Sequence, residues 1–236
     1  ATFTGLDFET AGSYRIKFVD TAGSGALGSV ISNSFNITPA AAAKFTWTGQ
    51  PSPVVARQVM GSVANYPTLR IFDAFDNPVT ADSSTTVTLK VTDSSGNTVT
   101  PNFARGLTKQ AVSGYVTFDA VALGLLAGNY KLEIDSVTRN GQAVTMTSPG
   151  ASNSFGVTAA APSQLRVATN AAGAKSGQAF STQPVVEILD QDGSVTTSTA
   201  TITLSASGVT LVGTPTATAV NGTATFALSL IHISEP

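Results

Sequence analysis

The chain repeats itself, and a repeat limits the fold more than any composition could. The stretch Leu125 to Ile134 has an echo at Phe8 to Lys17, and the tyrosines that anchor the two, Tyr14 and Tyr130, are 116 residues apart. Downstream of each lies the string Ser-Asn-Ser-Phe, at 32–35 and again at 152–155, 120 residues apart. Further landmarks extend the alignment. Pro67 to Asp73 matches Pro184 to Asp190, and Val79-Thr80 with Thr86 to Leu89 matches Val195-Thr196 with Thr201 to Leu204. Ala1-Thr2-Phe3, Val116-Thr117-Phe118 and Ala224-Thr225-Phe226 match one another. Ala-rich linkers fall at 39–43 and 159–162, so the single complete unit is expected over 44–158. A partial unit with C-terminal strands only is expected over 1–38, and one with N-terminal strands over 161–227.

Period-2 alternation recurs along the chain and helical periodicity is nearly missing. Val87, Leu89 and Val91 fall on one face of Thr86 to Thr92, with Thr and Lys on the other. Tyr130, Leu132 and Ile134 alternate with Lys131, Glu133 and Asp135, as Tyr14, Ile16 and Phe18 do with Arg15, Lys17 and Val19. Such strands have one buried and one wet face and pair antiparallel. Phe18 and Phe118 are expected in the core. Turn signals stand at Asp76-Asn77-Pro78, at 94–97 and at Asn140-Gly141, the last a pair suited to a two-residue hairpin. Short strands at this spacing predict an all-β chain of sandwich domains.

The recurring apolar strand ending in Asp, followed by a polar turn, Val-Thr and a Thr-rich strand, reads Ile71 to Leu89 and again Ile188 to Leu204. This pattern resembles the bacterial immunoglobulin-like domains that occur in tandem in adhesins and in invasin- and intimin-like surface proteins. The Leu-x-x-Gly-x-Tyr pattern of Leu125 to Tyr130 also resembles a tyrosine corner, whose hydroxyl ties a loop to backbone. The resemblance implies tandem immunoglobulin-like β-sandwich domains, one complete and two partial, in a rod-forming array. It carries over no active-site residues. The one tryptophan, Trp47, departs from the Cys-Trp-Cys frame of antibody domains, for the chain has no cysteine.

Residues 228–236, Leu-Ser-Leu-Ile-His-Ile-Ser-Glu-Pro, resemble a translated transposon-end sequencing adapter. On that reading they form a non-native tail, outside fold reasoning, on an open reading frame from a short metagenomic contig. His232, the sole histidine, lies in it. Without His232 the chain has neither the usual general base, nor the commonest metal ligand, nor a thiol nucleophile.

The chain is 42% hydrophobic, 11% charged and of net charge −2 over 236 residues. That balance offers no electrostatic attraction for nucleic acid. The longest apolar runs, such as Val121 to Leu126, are too short to span a membrane. Candidate sites are few. Asp190-Gln191-Asp192-Gly193 has the opening of a calcium loop, with oxygen ligands at alternate positions before a Gly bend. But a full loop needs further ligands, and the next carboxylate in sequence is Glu235, in the adapter-like tail; a turn whose Asp side chains bond nearby backbone N–H groups explains it, and explains Asp73-Ala74-Phe75-Asp76-Asn77 as well. Asp73, Asp76, Glu133 and Asp135 supply carboxylates, but no pocket-forming insertion sets two of them across a cleft. Phe75, Phe103, Trp47 and Tyr66 are the aromatics placed to stack on a sugar; core packing is the alternative for each. The sequons at Asn36 and Asn221 default to no glycan in a bacterial protein.

No catalytic, cofactor or metal site is expected. The sequence points to a spacer or adhesive repeat module of a large extracellular bacterial surface protein. Its partners would be neighbouring immunoglobulin-like repeats, with a host or surface protein or a glycan as further candidates. An accessory module of a secreted polysaccharide-degrading enzyme is the alternative, and a decorative phage-virion module a third. Because the first partial unit holds strands that the last one lacks, head-to-tail strand exchange between copies is also expected.

Overall fold

Thr85–Asp93 shows how alternation becomes structure: Val87, Leu89 and Val91 are buried, while Thr86, Thr88 and Lys90 keep partial access to solvent. The structure, a computed structural model, describes residues 2–20, 28–173, 178–207 and 210–232, of which 210–213 and 228–232 are described by backbone alone. All secondary structure among the described residues is β.

The middle unit is a two-sheet sandwich. One sheet orders its strands Tyr115–Thr117, Thr68–Phe72, Lys44–Gly49, all antiparallel. The other runs Thr108–Gln110, Thr85–Asp93, Gly128–Arg139, Phe155–Thr158, Val54–Val55, and its last pair is parallel. The first strand is thus split: Lys44–Gly49 belongs to one sheet and Val54–Val55 to the other. This strand order is immunoglobulin-like. Between the sheets lies the core, with Phe45, Leu69, Ile71, Val116, Phe118, Leu132 and Phe155 buried. The Asn140-Gly141 turn is a two-residue hairpin, with both residues at positive φ (50° and 78°).

The flanking units repeat parts of this plan. Gln164–Thr169, Val185–Leu189 and Thr223–Thr225 form a sheet in the same order as Lys44–Gly49, Thr68–Phe72 and Tyr115–Thr117. Thr201–Thr203 pairs with Thr216–Thr218, as Thr85–Asp93 pairs with Thr108–Gln110. At the other end, Gly12–Tyr14 pairs with Phe35–Ile37, as Gly128–Arg139 pairs with Phe155–Thr158. A second ladder there joins Lys17–Val19 to Ser29–Ile31. Backbone pairing also joins Ala227–His232 to Thr210–Thr214; residues 233–236 of the adapter-like tail lie outside the described residues.

The repeated motifs have structural causes. The Tyr130 hydroxyl donates to the Leu126 carbonyl oxygen at 3.0 Å, closing the tyrosine corner. Its ring folds back over Gly128, where a Cβ would sit 3.5 Å from it; at Gly12 a Cβ would sit 3.2 Å from the Tyr14 hydroxyl. Glycine two residues before the tyrosine leaves that face free for the ring. The Ser-Asn-Ser-Phe serine bridges two strands. Ser152 N–H donates to Leu132 O (2.8 Å), and its Oγ accepts from Leu132 N–H (2.9 Å) while donating to Asn153 O (2.8 Å). Ser32 makes the same three bonds, to Ile16 and Asn33, each at 2.8 Å. Phe35 and Phe155 then lie directly opposite Tyr14 and Tyr130.

One core expectation needs correcting. Phe118 is fully buried, but Phe18 is 37% exposed, its ring 5.6 Å from that of Phe3. Alternation alone assigns Phe18 an inward face. That face becomes a core only when a second sheet covers it, and the described strands of the first unit form two-stranded ladders without one.

Candidate functional site

The side chains that bind one unit to the next form a polar cluster that recurs. It begins with a local turn. Asp73 ends its strand, and its Oδ1 accepts from the backbone N–H of Phe75 (2.9 Å) and Asn77 (2.8 Å), while Asp73 N–H donates to Asn77 O (2.9 Å). Asp93 folds the same loop at a simple hairpin, through Ser95 and Asn97 N–H, both at 2.9 Å. Asp190 folds it a third time, through Asp192 and Ser194 N–H, both at 2.9 Å. An aspartate whose carboxylate takes the N–H groups two and four residues on closes a five-residue loop.

At Asp73 and Asp190 the second oxygen leaves the loop and takes a linker. Asp73 Oδ2 accepts from Ala40 N–H at 2.9 Å, and Asp190 Oδ2 accepts from Ala160 N–H at 2.8 Å. The residue four beyond each aspartate then reaches the preceding repeat. Asn77 Oδ1 accepts from Ala11 N–H (2.8 Å) and Asn77 Nδ2 donates to Glu9 O (2.6 Å). Ser194 Oγ accepts from Ala127 N–H at 2.8 Å. Ala11 and Ala127 each stand three residues before one of the matched tyrosines, Tyr14 and Tyr130. Two junctions therefore carry the same pair of ties: linker to aspartate, and the alanine before the matched tyrosine to the residue four beyond that aspartate.

The second junction adds a salt bridge. Arg57 donates from Nε to Asp192 Oδ2 (2.9 Å) and from Nη2 to Asp192 Oδ1 (2.7 Å), a bidentate pair. Arg57 holds a left-handed backbone (φ 66°), and its guanidinium lies 5.2 Å from the centre of the Phe103 ring. Asp192 is nearly fully buried. A Cβ on Gly124 would approach Asp192 Oδ1 to 2.8 Å, so the turn of one repeat seats against bare backbone of the other. A groove of about 620 Å³ is lined by Val55, Thr158, the 159–162 linker and Thr196 to Thr199, with no charged group on its walls.

Burial pushes the Asp73 carboxyl upward, but the bonds from Asn77 Nδ2 and from Ala40, Asn77 and Phe75 N–H outweigh it and hold its pKa at about 2. Asp93 is likewise held below the usual carboxylate range, first by Asn97 Nδ2 and then by its loop N–H groups.

The Asp-x-Asp-Gly segment is a turn. Its two carboxylates face N–H donors and a guanidinium, and no group of three or more His, Cys, Asp or Glu gathers as a metal cage among the described residues. The other carboxylates take separate partners: Asp76 pairs with Lys44 (2.6 Å), Glu133 with Lys90 (3.6 Å), and Asp135 stands exposed at a β-bulge. Of the aromatics, Phe75 is exposed on the Asp73 loop, Trp47 donates to Gly150 O (3.2 Å), Phe103 lies beneath Arg57, and Tyr66 is half-buried. Sequence reasoning missed Arg57, whose partner is 135 residues away. It also missed Asn77 and Ser194, although the repeat alignment places both four residues beyond a matched aspartate.

No family model matches the chain, and no curated protein does. Among solved structures, that of the Escherichia coli adhesin FdeC is similar at 15% sequence identity and a TM-score of 0.37, over 97% of this chain and 75% of that one. The fold assignment rests on the strand order itself.

Proposed function

We propose that this chain is a run of spacer or adhesive modules from a large extracellular bacterial surface protein, with no catalytic role, and that its joints hold successive sandwiches at a set angle. The observation that carries this reading is the recurrence of the same ties at two junctions: Ala40 to Asp73 and Ala11 to Asn77, then Ala160 to Asp190 and Ala127 to Ser194. Repeats that serve only as independent beads need no such bonds, whereas a rod that projects a binding surface gains reach from them. The ties use backbone N–H donors and an arginine, so this stiffness would not depend on calcium.

The absence of cysteine makes the test direct. Spin labels on cysteines placed at Gln142 and Thr203, in the middle and third units, report the distance across the second joint. A rod gives one narrow distribution, the same with calcium or a chelator, and Arg57→Ala broadens it. A broad distribution in the parent chain would overturn the reading.

A further inference from the structure

The two aspartate loops that seat at the joints share a backbone but not a tip. Phe75-Asp76 stands in the middle unit where Asp192-Gly193 stands in the third. What surrounds each tip changes with it. Asp76 pairs with Lys44 of its own unit (2.6 Å), whereas Gln164 takes the place of that lysine in the third unit and donates to Asp190 O (2.6 Å). A Cβ on Gly193 would lie 3.8 Å from Leu126 Cδ2 of the middle unit, and Thr10 holds the place of Leu126 at the first joint. The middle unit's side of the second joint is shaped for one of these tips. Arg57 N–H donates to Leu123 O (2.8 Å) while its backbone holds φ 66°, a region that residues with a Cβ seldom adopt. From that position the guanidinium makes both of its bonds to Asp192. Asp192 lies so close to the bare backbone of Gly124 that a phenylalanine ring has no room there, and the exchange would strip the guanidinium of its counterion. An aspartate in place of Gly193 would set a carboxylate against Leu126 without the lysine that Asp76 has.

We infer that the second joint is keyed: Arg57, Gly124 and Leu126 of the middle unit accept a following repeat whose loop reads Asp-x-Asp-Gly and reject one of the middle unit's own type, Asp-x-Phe-Asp. The ties from loop aspartate to linker, and from alanine to the residue four beyond that aspartate, are common to both joints and do not discriminate. The tip decides which repeat follows. Selection of this kind needs a disfavoured alternative as well as a good contact. A Phe-Asp tip supplies it, through a clash at Gly124, an unpaired guanidinium and a carboxylate set on leucine. Units then succeed one another in a fixed order, and the middle unit does not follow a copy of itself. Keying presupposes the fixed joints proposed above and adds which neighbour they admit.

The spin-label pair at Gln142 and Thr203 tests the key in the full chain. Asp192→Phe with Gly193→Asp gives the third unit the middle unit's tip, and should broaden the distance distribution as far as Arg57→Ala does. Arg57→Ala added to that double variant should broaden it no further, because the pair it breaks is already gone. A second label pair, at Thr203 and Thr225, lies within the third unit at exposed positions. It should keep one narrow distance in every variant, since the middle unit folds the same loop around Phe75 and Asp76. A distance across the joint that stays narrow in both the parent and the tip variant would overturn the keying and leave the fixed joint standing. Broadening within the third unit would overturn it too, for the tip residues would then be serving that unit's own fold.

Discussion

A serine hydroxyl between two strands explains a motif that sequence comparison alone could take for a binding signature. Ser152 Oγ accepts the buried N–H of Leu132, and Ser32 does the same for Ile16. Ser152→Ala would leave that N–H without its partner, at a cost of about 1–3 kcal/mol, read as a shift of the urea midpoint. Ser154→Ala, two residues on and exposed, should stay within about 0.5 kcal/mol of the parent. Tyr130→Phe keeps the ring and loses one bond to Leu126 O, and should cost about 0.5–1.5 kcal/mol by the same measurement. Both motifs were legible in the sequence because each is satisfied within one repeat, by residues a strand or a turn away. Phe18 was misjudged for the opposite reason: its burial depends on a second sheet, which a local alternation does not contain.

The five-residue aspartate loop acts at the scale of an element, since one carboxylate closes a turn and anchors a linker. The Asp73 carboxyl is held at about 2 against an ordinary value of 3.8, so its folded form favours the charged state. That contribution is fully present above the unfolded value and is lost as pH falls through about 2. Asp73→Asn should therefore lower stability at neutral pH and flatten its decline between about pH 4 and pH 2, by urea midpoints taken across that range. The aspartate-to-asparagine spacing at 73–77 and 93–97 marks these loops in the sequence. At 190–194 serine replaces asparagine and Asp192-Gly193 imitates a calcium loop, and only the position of Arg57 shows where the second carboxylate points. The pairing spans two sandwiches, so no local pattern encodes it.

Across the whole molecule, the joint couples units that would otherwise open separately. Arg57→Ala leaves the Asp192 carboxylate buried without its counterion. The loss should appear as undocking of the third unit. Hydrogen exchange measures it: amides of 185–196 should exchange faster in the variant, and those of Leu89 and Leu132 should not. In dilute parent chain, the middle unit should be the best protected of the three. The split first strand gives this unit a further property. Val54–Val55 and Phe155–Thr158 lie near the two ends of the unit and run parallel. Tension applied along the array pulls them in opposite directions along their own length. Their bonds, with the Ala56 N–H to Thr158 O bond beside them (2.9 Å), are then loaded together in shear and cannot unzip in turn. Once Lys44–Gly49 has been pulled from the other sheet, this short seam is what still ties the two ends of the unit together.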